Sequence, residues 1–175
     1  MQFKVYHFLV FVSDPAGRIE LYHLCLQSMI YQFLCMHSFE KSIEIRWSDL
    51  DPNFHVLHSK YYDFGAYCRM AFFVEQGMTP AVMKENNIGP VLFREECIFK
   101  REIVFGDEIM INFHITKHTE DYSRWSMQHE IWKNKETLSA IINIDGAWID
   151  TVKRKLAIPA QLLHAVFDKA PKAGL

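Results

Sequence analysis

Residues 59–78, SKYYDFGAYCRMAFFVEQGM, form a long segment whose apolar positions follow a helical period. Apolar side chains occupy two adjoining faces of this helix, so most of its circumference is non-polar. One face carries Tyr61, Phe64, Cys68 and Phe72, and the other carries Tyr62, Ala66, Met70 and Phe73. A helix of this kind is buried inside a protein rather than laid on its surface. The rest of the chain must therefore supply the layer that covers it.

The ends and the middle of this helix carry their own signals. Ser59 is predicted to be the N-cap, and Gly77 with Pro80 predicts the stop. Gly65 lies inside the helix, where glycine costs about 1 kcal/mol relative to alanine. We therefore expect another part of the chain to pack closely against Gly65.

Strand patterns surround the helix. Before it, apolar Ile43, Ile45 and Trp47 alternate with polar residues, the period of a strand with one buried face. After it, a long strand is predicted at 91–105, up to the Gly106-Asp107 turn, and three more strands at 109–116, 125–131 and 138–148. Short polar turns between consecutive strands predict an antiparallel meander. A short terminal helix is predicted at 159–169, so the fold class is α+β, with the sheet covering the helix.

The chain length and its first residues bear on domain organisation. A chain of 175 residues favours one domain. Residues 21–36 carry no charged side chain, but this run is short for a membrane span and polar residues interrupt it. A secretory signal is an alternative for the apolar residues 8–12, although no small-residue cleavage site follows them. We interpret Met36 as the natural start, residues 1–35 as an extra N-terminal segment and residues 36–175 as a single domain.

Charge and cysteine content exclude several classes of protein. The 19 Lys and Arg residues nearly balance the 21 Asp and Glu residues, so no nucleic-acid partner is predicted. The four cysteines form no CxxC pair, which favours reduced thiols over a disulfide framework. We therefore expect a cytoplasmic protein with neither a nucleic-acid nor a membrane partner.

Ionisable side chains crowd into the segment directly before the helix. Asp49 and Asp51 are two positions apart, so in strand geometry both carboxylates would point to one side, and repulsion would raise the pKa of one. The first-turn amides and positive dipole end of the following helix can hold an oxygen that becomes negative. A carboxylate beside such a helix start predicts a site for attack on an acyl carbonyl.

Two other interpretations of the same residues stay open. The run Asp-Leu-Asp-Pro-Asn is typical of a turn. Asp49, Asp51, His55 and His58 could also bind a metal in a metal-dependent hydrolase. Convincing third and fourth ligands at helical or hairpin spacing are missing, so we predict no metal. The sequence has neither a nucleophile-elbow pattern nor a phosphate-binding glycine loop.

The stretch RWSDLDP (46–52), followed by His55-Val56 and HSKY (58–61), resembles a family signature. It is similar to that of the 4-hydroxybenzoyl-CoA thioesterase branch of the hotdog-fold acyl-CoA thioesterases, and the resemblance covers about residues 39–168. The resemblance implies a hotdog fold, an antiparallel β-sheet wrapped around one long central helix. It also implies hydrolysis of an acyl-CoA to a free acid and coenzyme A without a cofactor.

The resemblance assigns roles to individual residues. Asp51 matches the catalytic carboxylate, a nucleophile or general base, and His58 matches the residue near the thioester carbonyl. Supporting roles are implied for Asp49, His55 and Tyr61. The helix position that usually holds Glu is Gly65 or Ala66 here, and Pro52-Asn53-Phe54 replaces a small glycine-rich turn. Should Asp51 prove dispensable, Asp63 and Glu75 are the alternative carboxylates.

Substrate binding and assembly also follow from the resemblance. Arg69 fits a basic helix residue of the family, and further cations at strand ends could bind the coenzyme A phosphates: Lys100, Arg101, Lys117, His118 and Arg124. The alternative for these cations is a solvated sheet face. A dimer or tetramer is implied, with sheets joined edge to edge and the strand at 91–105 at the junction. A hotdog protein that binds acyl-CoA without turning it over is the second functional hypothesis.

Overall fold

The structure is a computed structural model that describes residues 39–159 and 161–172. These residues fall within one unit, His37–Leu175. The interpretation of residues 1–35 as an extra segment concerns positions outside the described residues.

Helix α1 (His58–Glu75) is the long buried helix expected from the sequence, with seven buried side chains or backbone positions along its length: Tyr61, Phe64, Gly65, Cys68, Arg69, Phe72 and Phe73. It begins one residue before Ser59, and its N-cap, Leu57, supplies no side-chain cap, so the prediction of Ser59 as N-cap is wrong. The predicted stop is confirmed, because Gly77 follows the last turn with φ +84°.

An antiparallel sheet packs against α1. Its strands are β1 (Phe39–Ile43), β2 (Ile88–Phe99), β3 (Ile109–His118), β4 (Arg124–Lys133), β5 (Thr137–Asp150) and β6 (Lys155–Leu156). The described residues form the order β1-β3-β4-β5-β2, with β6 beside β5. Helix α1 contacts β1, β2, β3 and β5. The predicted α+β architecture, with the sheet covering one long helix, is confirmed.

Aromatic rings join the helix to the sheet. The ring of Phe72 meets those of Phe39 and Phe113 edge to face, with centroids 5.1 Å and 4.9 Å apart. Phe73 meets Trp148 of β5 at 5.7 Å. Burying such a side chain contributes roughly 1.5–3 kcal/mol, so these contacts hold α1 firmly on the sheet.

Three local predictions need correction. β1 ends at Ile43, and Trp47–Asp49 forms a turn of 3-10 helix instead of a strand. β2 covers Ile88–Phe99 rather than 91–105, and a register shift between Leu92 and Arg94 breaks its alternation. A short helix, α2 (Pro80–Glu85), was not predicted, although Thr79 caps it by accepting a hydrogen bond from the Val82 amide at 3.3 Å.

The C-terminal helix agrees with the sequence, since α3 (Gln161–Lys169) lies within the predicted range. Among the described residues, no helix combines the length and the hydropathy needed to cross a membrane.

Candidate active site

The loop between the 3-10 turn and α1 folds into a narrow hairpin. The Asp51 amide donates to the His55 carbonyl at 2.8 Å, and the Phe54 amide donates to the Asp51 carbonyl at 2.9 Å. Leu50 and Val56 pair as an isolated antiparallel bridge. Asp51 therefore lies at the base of the hairpin, with Pro52-Asn53-Phe54 at its tip.

The Asp51 carboxylate is held by backbone amides on one side. Its Oδ1 atom accepts hydrogen bonds from the amides of Asn53 at 2.8 Å and His55 at 3.1 Å. For Oδ2, the described residues provide no hydrogen-bond partner. One oxygen is thus fixed in place, while the other can act on a water molecule or an acyl carbonyl.

Asp49 has a different environment from Asp51. It is buried, its Oδ2 accepts from the Arg46 amide at 3.0 Å, and its Oδ1 lies 3.3 Å from Lys60 Nζ. Hydrogen bonding to Asp49 raises the pKa of Lys60. The strand geometry from which we expected repulsion between Asp49 and Asp51 is absent. Asp49 instead ties the loop to α1, because its carbonyl also accepts from the Leu57 amide at 2.8 Å.

The first turn of α1 presents unused donors beside Asp51. The Lys60 amide bonds to the Leu57 carbonyl at 2.9 Å, whereas the described residues include no acceptor for the amides of His58 and Ser59. Such amides, together with the positive end of the helix dipole, stabilise a negatively charged oxygen. The His58 side chain is exposed at the same turn.

A cleft of about 370 Å³ brings many of the predicted residues together. Its lining comprises Asp51, His55, Val56, His58, Tyr61, Phe99, Lys100, Arg101 and Glu102. Tyr61 is buried, and desolvation raises its pKa to about 12, so the phenol stays neutral. His55 Nε2 lies 3.4 Å from Glu102 Oε2. Phe99 and Glu102 were not predicted as site residues.

Two of the predicted cations lie at the rim of this cleft. The amides of Lys100 and Arg101 both donate to the Ser139 carbonyl, at 2.8 and 3.0 Å, which fixes the backbone directly after β2. The same two residues line a neighbouring cleft of about 590 Å³. Their exposed side chains therefore stand between two openings at one end of the sheet.

Lys117, His118 and Arg124 lie elsewhere. They lie at the ends of β3 and β4 that flank the turn between these two strands, whereas the cleft lies near the other end of this hairpin, where Lys133 Nζ donates to the Glu102 carbonyl at 2.6 Å. The ten residues of β3 span nine residue-to-residue steps, a distance of about 30 Å. The Arg124 guanidinium instead lies 5.6 Å from the Phe93 ring centroid. Within one chain, Lys117 and Arg124 are not part of the cleft.

Arg69 is buried within the domain rather than presented at its surface. Its Nη1 lies 3.0 Å from His129 Nε2, and its Nη2 lies 3.5 Å from Glu95 Oε1. A Cβ atom on Gly65 would stand 3.3 Å from both Arg69 Nη1 and His129 Cδ2. The close packing expected at Gly65 is confirmed, and Arg69 is among the groups packed there.

The other candidate groups are placed away from the chemistry of the cleft. Asp63 is exposed and lies 3.5 Å from Lys60 Nζ, and Glu75 pairs with Lys41 at the opposite end of α1. Burial raises the pKa values of Cys68 and Cys97 to about 12, which makes both poor nucleophiles. Within the described part of the chain, no group of three or more His, Cys, Asp or Glu side chains is arranged to hold a metal ion.

Comparison with known proteins identifies the family. A family model described as the Thioesterase-like superfamily matches residues 45–166. The chain belongs to this superfamily. Comparison with curated proteins finds no match.

Several solved structures share the fold of this chain. A 1,4-dihydroxy-2-naphthoyl-CoA thioesterase from Synechocystis is 16% identical, with a TM-score of 0.68 over 75% of this chain and 96% of that chain. A DHNA-CoA thioesterase from Staphylococcus aureus is 17% identical, with a TM-score of 0.68 over 75% and 89%. A Staphylococcus aureus protein in complex with CoA is 14% identical, with a TM-score of 0.70 over 79% and 89%. The predicted hotdog fold is confirmed.

Proposed function

We propose that this protein is an acyl-CoA thioesterase, which hydrolyses an acyl-CoA to a free carboxylic acid and coenzyme A. The observation that carries the proposal is the geometry of Asp51. Its Oδ1 is fixed by two backbone amides, and the described residues leave Oδ2 free in the cleft beside the start of α1. Superfamily membership and structural similarity to the DHNA-CoA and 1,4-dihydroxy-2-naphthoyl-CoA thioesterases support this assignment.

In the proposed reaction, the thioester carbonyl lies between Asp51 and the first turn of α1. Asp51 either takes a proton from a water molecule that adds to the carbonyl carbon, or attacks that carbon itself to form a mixed anhydride. The amides of His58 and Ser59 stabilise the developing oxyanion, with the His58 side chain close by. The carbon–sulfur bond then breaks, coenzyme A leaves as a thiolate, and water hydrolyses the anhydride where one has formed.

The remaining cleft residues have supporting parts in this proposal. Asp49 holds the loop on α1 through its contact with Lys60. Tyr61 packs against Phe99, and His55 contacts Glu102 at the rim of the cleft. Lys100 and Arg101 bind coenzyme A phosphates. Arg69 is left out of substrate binding because its guanidinium is buried against His129 and Glu95.

Self-association is part of the proposal. β2 lies at the edge of the described sheet and carries exposed apolar side chains: Leu92, Phe93, Ile98 and Phe99. An unpaired edge of this kind is an aggregation hazard unless another strand or element covers it. Antiparallel pairing of two β2 strands across a two-fold axis would cover both edges. It would also carry the β3–β4 turn, with Lys117 and Arg124, toward the cleft of the partner.

The test is free-thiol release from short, long and aromatic acyl-CoAs by the wild-type protein and Asp51→Asn. Asparagine keeps the Oδ1 acceptor for the Asn53 and His55 amides, so the loop should fold unchanged while turnover falls by about 10²-fold or more. Asp63→Asn, the same substitution at an exposed carboxylate of α1, is the matched control. Equal activity of Asp51→Asn and wild type would contradict the role of Asp51. Single turnover in labelled water separates the two routes, since enzyme-derived oxygen in the first product excludes direct water attack.

A second candidate function is acyl-CoA binding without turnover. Its support is the absence of a carboxylate at Gly65 and Ala66, together with the Pro52-Asn53-Phe54 turn, where Phe54 has φ +63°. Measurable acyl-CoA binding with no thiol release from any tested thioester would favour this function.

A further inference from the structure

Residues 151–158, TVKRKLAI, form the turn after β5, the strand β6 and the two residues that follow it. We call them the basic hairpin. It carries Lys153, Arg154 and Lys155 in succession and no acidic side chain, although cations and carboxylates nearly balance over the whole chain. All three cations are exposed. The basic hairpin is therefore a local concentration of positive charge at the surface.

Apolar side chains lie among these cations. Val152, Leu156 and Ile158 are 71%, 49% and 69% exposed. Exposed apolar residues that are scattered singly are ordinary, whereas several gathered in one place mark an interaction surface. The basic hairpin therefore combines positive charge with exposed apolar side chains.

Asp150, the last residue of β5, fixes the turn of the basic hairpin. Its Oδ1 accepts hydrogen bonds from the amides of Val152 at 2.9 Å and Lys153 at 2.7 Å, and its carbonyl accepts from the Arg154 amide at 2.9 Å. Lys153 Nζ also lies 3.4 Å from Asp150 Oδ2, but the Lys153 side chain is 77% exposed, so solvent weakens this pair. The hairpin thus presents its side chains on a pre-formed turn.

Other kinds of partner account for only part of this composition. Lysines on a short edge strand oppose pairing with other chains, and cations bind nucleic acid, but neither role requires exposed Val, Leu and Ile side chains. A stable protein interface takes about 20–30 residues from each partner and relies on Trp, Tyr and Arg anchors. An anionic lipid surface uses both features, because cations meet the headgroups while apolar side chains enter the boundary between headgroups and acyl chains.

We propose that the basic hairpin binds the surface of membranes that contain anionic phospholipids. Its three cations lie at the headgroups, and its three exposed apolar side chains enter the layer below them. Binding is reversible, because so few cations and a shallow apolar contact do not anchor a protein permanently. The charge balance of the whole chain, from which no membrane partner was expected, does not describe this segment.

The basic hairpin is separate from the candidate active site within one chain. β5 begins beside the cleft, where the Ser139 carbonyl accepts from the amides of Lys100 and Arg101, and ends at Asp150. The strand between Ser139 and Asp150 spans about 35 Å. The inference therefore goes beyond the proposed thioesterase function and does not depend on it.

The test is co-sedimentation of the protein with vesicles of phosphatidylcholine, alone or mixed with phosphatidylserine. The charge variant combines Lys153→Gln, Arg154→Gly and Lys155→Gln. Arg154 has φ +55°, so glycine relieves strain at this position. The apolar variant replaces the three exposed apolar residues by threonine, which favours strands: Val152→Thr, Leu156→Thr and Ile158→Thr.

Each variant has a control with the same kind of substitution elsewhere. Lys135→Gln removes an exposed cation from the turn between β4 and β5, at the opposite end of β5. Val74→Thr replaces an exposed valine of α1. All the substituted side chains are exposed, so every variant should keep the fold, which circular dichroism checks.

Wild type should bind the mixed vesicles about tenfold or more tightly than phosphatidylcholine alone, and high salt should release it. Each cation near an anionic surface contributes about fivefold in affinity, so the charge variant should bind the mixed vesicles about 10²-fold more weakly. The apolar variant should bind them about tenfold more weakly, with all its cations present. Both controls should bind as wild type does.

Four results would overturn the inference. The first is a wild type that binds neither kind of vesicle, and the second is a charge variant with wild-type affinity. The third is an apolar variant with wild-type affinity, because the cations alone would then explain adsorption. The fourth is binding of the hairpin to RNA or to an acidic protein without binding to vesicles, which would assign a different partner to this surface.

Discussion

His129 of β4 is a histidine that the fold holds uncharged. It is fully buried, its Nδ1 lies 2.9 Å from the Asn112 carbonyl, and its Nε2 lies 3.0 Å from Arg69 Nη1. A guanidinium only donates hydrogen bonds, so Nε2 must accept and Nδ1 must carry the proton. Burial, followed by the positive charge of Arg69, lowers the pKa of His129 to about 3.

This low pKa predicts a pH dependence of stability. Between the ordinary histidine pKa of 6.5 and the folded value of about 3, the unfolded chain binds a proton that the folded chain excludes. The uncharged His129 therefore contributes to the free energy of unfolding. This contribution is fully present above pH 6.5 and decreases as the pH falls, by about 2 kcal/mol between pH 7 and pH 5. Urea unfolding at these two pH values should show this extra loss in wild type relative to His129→Gln. Glutamine retains a donor and an acceptor but does not titrate. The same pH dependence in both proteins would show that His129 is not the group responsible.

At the scale of single elements, β5 depends on a glycine at its contact with β4. Gly146 is the register partner of Trp125, and a Cβ atom at Gly146 would stand 2.4 Å from Cη2 of the Trp125 ring. The Trp125 ring is buried and cannot move aside. Gly146 thus allows a large aromatic side chain to cross the strand beside it.

Gly146→Ala should therefore destabilise the protein by about 3 kcal/mol, the upper end of the usual cost of overpacking a core. Thermal or urea unfolding measures this change. The matched control is Gly89→Ala in β2, where a Cβ atom would meet only Thr151 Cγ2, at 3.1 Å, and a far smaller loss is expected. Comparable losses at the two glycines would mean that contact with Trp125 is not the cause.

The elements also show what the sequence can predict. The 3.6-residue period of α1 is a pattern of neighbouring residues in the sequence. The buried helix, and the sheet that must cover it, could therefore be predicted. The 3-10 turn at Trp47–Asp49 could not be predicted, because the spacing of Ile45 and Trp47 is that of a strand. The turn depends on the Asp49 carboxylate, which accepts a hydrogen bond from the Arg46 amide. Nor does any local spacing show the register shift at Phe93, which depends on pairing with β5.

The same reasoning applies to the candidate site. Asp51 and His58 could be predicted because the loop and the helix start adjoin in the chain. Glu102 and Phe99 enter the cleft from the segment that pairs with His55 through Val104, a long-range contact that no motif spacing indicates. Arg69 was predicted to bind substrate, yet it is buried against His129, which lies 60 positions away on β4.

At the scale of the whole molecule, β2, the edge strand of the described sheet, is where we expect a second copy of the chain to bind. β2 ends at Phe99, whose ring packs on Tyr61 at 4.9 Å, directly before the cleft cations Lys100 and Arg101. A second copy paired along this edge would therefore lie against the cleft. Assembly and catalysis are then expected to depend on the same strand.

Ile98→Lys tests this dependence, because Ile98 is 44% exposed on β2 and a buried, unpaired ammonium would oppose pairing with a second chain. Sedimentation equilibrium should show a wild-type dimer or tetramer and a monomeric variant, with thiol release lost along with assembly. Val74→Lys places the same charge on an equally exposed residue in the last turn of α1, next to Glu75, which pairs with Lys41 of β1, and should change neither property. A monomeric wild type would contradict the edge-to-edge assembly. A monomeric Ile98→Lys protein with full thioesterase activity would instead show that a single chain holds the complete site, because the partner then supplies nothing that the reaction requires.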